Sequence, residues 1–395
     1  MTDGVPATLS SASTADTVGR RPRGRKAQIV SAAAELFATR GFAATGIDDI
    51  GAQVGISGPA IYRHFKSKDA ILAAVIMETV TAFAVDGAGV SKGIGWLVAN
   101  TVGVALDSPA NLATYIRERH RLSGVAREQL ARLERPLYRA WRRSVRAANP
   151  GLQDGAIATR QMAVLSAMSA VAIRPPLTRG PQLEALLVEA MMAVLQAPDG
   201  PASAATSNRG SWAPPPTRRH EILVQALGLF RERGFDGVGI DEIGAAVGIS
   251  GPTVYFYYDT KAAILVDAYE QAGARVVTGI HESLGAAESA ADALERLAAS
   301  YLEVAHDNGD LIVVTSREGA AIPVSDRPRF ARRRGDVLGT WVTVMRELRP
   351  ELDDGAARVL AGGVMPLMNQ LAQCPGDPNR FVPLVLAWCL GSHSC

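Results

Sequence analysis

Cysteine is scarce in this chain. There are three in 395 residues, Cys374, Cys389 and Cys395, all near the C-terminal end and none in a CxxC pair. So odd and sparse a set excludes a disulfide framework and fits a reducing compartment. Long apolar runs are missing too, and no stretch of about 18 uninterrupted apolar residues is present to cross a bilayer. The opening residues, Met1 to Val18, are rich in Ser, Thr and Ala and lack the apolar segment of a secretion signal. The expected location is therefore the cytoplasm, with no membrane partner. There is no P-loop, no GxGxxG after a strand, no HExxH and no nucleophile elbow, so no catalytic residue and no cofactor is expected. Cys389, His393 and Cys395 match no standard ligand spacing, and no metal is expected. A surplus of one charge is absent as well: 41 Lys and Arg face 39 Asp and Glu, a net charge of +2. That balance argues against a sequence-independent architectural DNA binder and moves the question to where the charge sits. What is present, 48% hydrophobic and 20% charged residues over this length, is enough for two or more globular cores.

The most informative feature is an internal repeat. Residues 41–72 read GFAATGIDDIGAQVGISGPAIYRHFKSKDAIL, and residues 234–265 read GFDGVGIDEIGAAVGISGPTVYFYYDTKAAIL. They align without a gap at an offset of 193, with 19 identities in 32 positions, where chance gives roughly two. Upstream, Ile29, Ala33, Leu36, Phe37 and Arg40 match Ile222, Ala226, Leu229, Phe230 and Arg233. A fainter echo runs at offset 200: Trp141 with Trp341, Pro150 with Pro350, Leu152 with Leu352, and Asp154-Gly155-Ala156 with Asp354-Gly355-Ala356. The repeated unit therefore spans about 190 residues. Residues 197–216, rich in Pro, Gly, Ser and Ala, read as a linker, and residues 1–24 as a disordered basic arm.

Each repeat opens with the pattern of a helix-turn-helix. Ile29, Ala33, Leu36 and Phe37 form a helical stripe over 25–40, ended by Gly41. A second helix is expected over 47–54, broken by Gly55. Ser57 is placed to cap a third helix over 58–65, with Pro59 in its first turn, and a fourth runs over 68–86. Two short helices joined by a tight glycine turn form a helix-turn-helix, whose second helix enters the major groove. Gly58, Pro59 and Ala60 offer small side chains for close approach to the groove floor. Arg63 is the best candidate for a base or phosphate contact, with Tyr62, His64 and Lys68 placed for phosphates. The arm residues Arg20, Arg21, Arg23, Arg25 and Lys26 suit an adjacent minor groove.

On these residues the chain resembles the TetR/AcrR family of regulators. The carrying positions are Gly41-Phe42, Thr45, Ile50-Gly51, Gly55-Ile56-Ser57, Tyr62, Phe65, Lys68 and Leu72, repeated as Gly234-Phe235, Ile243-Gly244, Gly248-Ile249-Ser250, Tyr255, Tyr258, Lys261 and Leu265. Pro59 and Pro252 stand where a glycine is usual, and Val238 replaces the threonine expected to make one phosphate contact. Two heads in one chain are similar to actinobacterial double-headed repressors of that family. The resemblance implies an all-α fold of two tandem units, each a head plus a helical ligand and dimerisation domain. The expected boundaries are 25–72 and 73–196, then 217–265 and 266–395. It also implies double-stranded operator DNA as partner and repression relieved by a small molecule. DNA-binding positions carried over are Thr45, Ser57 and Gly58 to Ala60, Tyr62 to His64 and Lys68, then Arg218, Arg219, Ser250, Gly251, Pro252, Thr253, Tyr255, Phe256, Tyr257 and Lys261.

Apolar helices over 155–173 and 181–196, matched by 354–373 and 378–390, need a partner surface. The simplest is the other half of the chain, giving a four-helix bundle and an intrachain pseudo-dimer, with a homodimer of chains as the alternative. Candidate ligand contacts are Trp96, Tyr115, Tyr138 and Trp141 in unit one, and Tyr301, Trp341, Met345 and Met365 in unit two. Their low polarity favours an apolar effector, acyl or sterol-like. The heads are not equivalent in charge. Residues 20–68 carry nine basic and three acidic side chains, net +6, whereas 217–261 carry five and six, net −1. Arg63-His64-Phe65-Lys66 has become Phe256-Tyr257-Tyr258-Asp259. Phosphate neutralisation supplies much of DNA affinity, so head one is expected to dominate. The alternative is a second head turned into a protein-interaction surface.

Overall fold

The computed structural model describes residues 24–84, 89, 91–173, 180–200 and 217–391, and every regular element among them is helical. Arg20, Arg21 and Arg23, most of the expected linker (201–216), His393 and Cys395 lie outside the described residues. The first unit contains α1 (Arg25–Arg40), α2 (Ile47–Val54), α3 (Gly58–Ile61), α4 (Lys68–Ala82), α5 (Ile94–Asp107), α6 (Pro109–Glu118), α7 (Gly124–Ala148), α8 (Asp154–Ala167), α9 (Ser169–Ile173) and α10 (Pro181–Gln196). The second contains α11 (Arg218–Arg233), α12 (Ile240–Ala246), α13 (Gly251–Val254), α14 (Lys261–Gly285), α15 (Ala290–Asp307), α16 (Gly309–Arg317), α17 (Arg327–Leu348), α18 (Asp354–Leu371) and α19 (Val382–Leu390). Helix order repeats, and the offset of 200 holds structurally: α7 and α17 end at Ala148 and Leu348, and α8 and α18 start at Asp154 and Asp354.

Local sequence explains most boundaries. Ser67 and Thr260 cap α4 and α14 by accepting from the amides of Ala70 and Ala263, both at 3.1 Å. Gly55 and Gly248 take φ of +71° and +72° between the second and third helices of each head, a conformation costly for any side chain. The third helix is shorter than its sequence pattern predicts. It ends at Ile61, and residues 62–65 close as tight turns, with the His64 amide donating to the Ile61 carbonyl at 2.8 Å. The run expected over 155–173 is split at Met168 into α8 and α9.

Three apolar clusters hold the described residues together. Two lie under the heads, around Phe37 and Phe230. The third and largest draws on both units and contains Trp141, Trp341 and Trp388. In it α8 packs on α18 and α10 packs on α19, so four helices from two units share one interior. Gly363 permits this contact. A Cβ there would run into the Trp388 ring and come within 3.2 Å of the Ala167 carbonyl oxygen across the seam. The Trp388 indole N–H donates to the Leu360 carbonyl at 2.9 Å. The first residues of the expected linker are docked rather than free. Buried Arg160 donates to the Ala197 carbonyl and pairs with Asp199, each at 2.7 Å through one terminal nitrogen, which offsets part of the cost of burying the guanidinium. Gly200 then donates to the Arg380 carbonyl in the second unit at 2.7 Å.

Candidate DNA-binding heads and cavity

Both heads are built on one frame. Asp49 accepts the Gly46 amide at 2.7 Å and pairs with Arg40; Glu242 accepts the Gly239 amide at 2.8 Å and pairs with Arg233. Phe37 packs on Phe42 and Phe230 on Phe235, with ring centroids 5.3 and 5.2 Å apart. Gly58 and Gly251 are buried, and a Cβ at either would collide with the Asp48 or Asp241 carboxylate of the preceding helix. Their small size therefore lets α3 and α13 seat on α2 and α12, which is a packing role rather than approach to a base.

Several expected DNA contacts are redirected by this frame. Thr45 is 1% exposed, and its hydroxyl donates to the Gly41 carbonyl at 2.8 Å. The change to Val238, also buried, is a core substitution and not the loss of a phosphate contact. The Lys68 ammonium donates to the Phe42 and Thr45 carbonyls, both at 2.9 Å, and lies over the Phe42 ring. Lys261 does the same with Phe235 and Val238 at 2.7 and 2.8 Å. Both lysines close the loop between the first two helices of their head. Arg25 and Arg218 donate to the matching carbonyls of Val54 and Val247, at 3.0 and 3.1 Å. Arg219 stacks on Tyr258 and pairs with Asp267. Ser57 makes no side-chain cap, and the Ser250 hydroxyl instead meets that of Thr253 at 2.7 Å.

What remains on the surface of the third helix differs between heads. Head one exposes Pro59, Tyr62, Arg63, His64 and Lys66, with Ala60 half-buried. Head two exposes Pro252, Tyr255, Phe256 and Asp259, with Thr253 and Tyr257 half-buried. Phe256 is 87% exposed at the position Arg63 holds in head one. A bridge ties the heads together. Glu118 accepts the Phe42 amide of head one at 3.2 Å and pairs with Arg121 at 2.7 Å. Arg121 reaches Asp236 of head two at 3.0 Å. Glu318, the repeat partner of Glu118, bonds the Phe235 amide of head two, and burial raises its pKa above the usual carboxylate value.

A cavity of about 1050 Å³ opens in the second unit, between α14 to α18 and the α10 face of the first unit. Of the expected ligand contacts, Tyr301 and Met365 line it. Trp141, Trp341 and Met345 are buried core residues; Trp96 packs against the same core under Lys92; Tyr115 and Tyr138 belong to a hydrogen-bonded group in unit one. Sequence reasoning overlooked Tyr269 and Arg334, which also line the cavity. Burial pushes the Tyr269 and Tyr301 phenols up to about 12.

The profile described as bacterial regulatory proteins, tetR family, matches residues 29–75 and 222–268. The helix-turn-helix transcriptional activator FasR of Mycolicibacterium smegmatis is 42% identical over 62 residues, 15% of this chain and 28% of that protein. The regulator EthR of the same organism is 41% identical over 141 residues, 35% of this chain and 63% of its own length. The chain thus spans between about a quarter and two thirds of these two curated relatives. Among solved structures, the ketosteroid regulator KstR2 of Mycobacterium tuberculosis has a TM-score of 0.40 at 18% identity, covering 45% of this chain and 94% of that one. The two matched segments show that the chain carries the N-terminal domain of the tetR family of bacterial regulatory proteins twice.

Proposed function

We propose that this chain is a DNA-binding regulator of transcription in which the two units act as an intrachain pseudo-dimer and head one supplies most of the affinity. The observation that carries this reading is a pair of matched frames with unmatched faces. Head one presents Arg63, His64 and Lys66 to solvent, and head two presents Tyr255, Phe256 and Asp259, with Tyr257 half-buried. Cationic side chains at these positions neutralise phosphates or read guanine edges, whereas Phe256 and Asp259 do neither. The interior shared by α8, α10, α18 and α19 supports one chain as the assembled unit, with a pair of chains as the other outcome. The second-unit cavity supports control by a small, largely apolar effector. We take operator release, hence repression, as the direction of control; relatives are named with both signs, FasR as activator and KstR2 of Mycolicibacterium smegmatis as repressor.

The test is operator affinity at fixed salt for Arg63→Ala and Tyr257→Ala. A loss confined to the first variant supports the reading, and equal losses overturn the asymmetry. A reporter behind the operator should rise when the chain is deleted. A second reading, in which head two docks a protein, is favoured by Phe256, Tyr255 (51% exposed) and Val224 (47% exposed) standing together on one head. Wild-type affinity in a Tyr255→Ala, Phe256→Ala, Tyr257→Ala triple variant would select it.

A further inference from the structure

We propose that the chain holds one effector, in the second unit alone, and that this effector is an amphipathic anion whose charged end is received by Arg334. The inference rests on the ligand-responsive reading above and adds the number of sites and the chemistry of the ligand.

The first argument comes from the repeat. At the offset of 200, the cavity-lining residues Thr315, Arg334 and Leu338 correspond to Tyr115, Glu134 and Tyr138. In unit one these three side chains meet one another. The Tyr115 hydroxyl donates to Glu134, Arg119 donates to the same hydroxyl at 2.9 Å, and Tyr138 lies 3.5 Å away. Burial drives the Tyr115 phenol well above its ordinary pKa, so it stays a neutral donor. Arg119 corresponds to Gly319, where a Cβ would come within 3.2 Å of the Tyr269 hydroxyl. Four large, mutually bonded side chains thus meet in unit one, whereas in unit two Thr315, Arg334 and Leu338 line the cavity and Tyr269 reaches the Thr315 carbonyl and Gly319. Unit one is plugged by its own residues.

The second argument is charge. Four arginines line the cavity. Arg333 is held by Glu270 and the Tyr269 carbonyl, both at 2.7 Å; Arg349 pairs with Glu351 at 2.8 Å; Arg358 pairs with Asp354 at 2.5 Å. Arg334 has no carboxylate partner among the described residues. Its side chain is solvent-exposed and acts electrostatically on Arg117, which feels the charge of Glu118 more strongly. The remaining wall is mixed: Leu183, Leu186, Val276, Ile312, Phe330 and Val337 give it an apolar stretch, and Gln182, Glu189, Asp353 and Asn369 add polar groups. An apolar body with one anionic end satisfies both features; a neutral sterol or alcohol leaves Arg334 unpaired. Arg117 donates to the Ala38 carbonyl of α1 at 2.6 Å, so an anion at Arg334 would act one side chain away from head one.

The experiment is calorimetric titration of the full chain with dodecanoate, dodecyl phosphate and dodecan-1-ol, with operator release measured in parallel. One molecule bound per chain, with an anion at least tenfold tighter than the alcohol, is expected. Whichever anion is preferred then identifies carboxylate or phosphate as the head group. Arg334→Leu should abolish the preference with unchanged thermal unfolding, and Arg334→Lys should restore part of it. Two sites per chain, no saturable binding of any probe, equal binding of the alcohol, or a preference that survives Arg334→Leu would each overturn the proposal. Anion binding without operator release would instead overturn the ligand-responsive reading. Release by the alcohol and the anions alike would overturn this proposal and leave that reading standing.

Discussion

The two heads share a frame of buried contacts and differ on the face they show to solvent. Lys68 and Lys261 clasp the same two loop carbonyls, Asp49 and Glu242 cap the same helix, and Arg25 and Arg218 brace the same helix end. Yet Arg63 has become Phe256, and Lys66 has become Asp259. Duplication has kept the frame that folding needs and changed the side chains shown to solvent. The helical parts that follow the heads diverge in the same manner. One tryptophan pair, Trp141 and Trp341, is buried at matching positions, while the polar group around Tyr115 fills one unit and its counterparts open the other.

That comparison can be broken or sharpened by substitution. The largest effect is expected at the shared interior. Trp141→Ala and Trp341→Ala should each cost about 3–5 kcal/mol, because a large buried side chain is lost and its cavity relaxes only in part. Since both residues belong to one cluster, each variant should lower a single unfolding transition of the whole chain. Two separated transitions would show that the units fold independently. Next, Arg63→Ala should weaken operator binding by ~1–3 kcal/mol and reduce its salt dependence. Phe256→Arg in head two should tighten binding and steepen that dependence, and no change in either slope would remove charge as the source of the difference.

Smaller effects test the polar contrasts. Tyr115→Phe removes a hydroxyl bonded to Glu134 and Arg119, and should cost about 1 kcal/mol in denaturant unfolding. Asp236→Asn breaks the bridge between the heads at a partly exposed site and should cost less than about 1 kcal/mol of stability. The smallest effect is expected at Glu318. Burial raises its pKa, so its contribution to stability is full below the unfolded value of 4.5 and is lost as pH rises through the higher native value. Glu318→Gln keeps an acceptor for the Phe235 amide and should flatten the stability profile above pH 4.5. A variant profile parallel to the wild type would contradict this.

The repeat and the heads were legible in the sequence because their glycines and apolar stripes are imposed by backbone geometry. Gly55, Gly58 and Ile50 recur as Gly248, Gly251 and Ile243, and no other residues satisfy the turn and the close helix packing as well. Side-chain direction was not legible. Thr45 and Lys68 stand at motif positions, and only three-dimensional packing turns the hydroxyl and the ammonium inward onto loop carbonyls. The cavity was half legible. Aromatic residues on the middle helices pointed to Tyr301, but they also pointed to Trp141 and Trp341, which fill the core. A usable signal lay in the exchanges at offset 200, where Tyr115, Arg119 and Tyr138 give way to Thr315, Gly319 and Leu338. Large residues replaced by small ones at repeat-equivalent positions mark where one unit is filled and the other is not.

The central claim is that two unequal heads in one chain make a complete reader of one operator. The mass of the chain bound to an operator duplex in solution tests it most directly. One chain per duplex, with head one carrying the affinity, is the predicted result; two chains per duplex would contradict it.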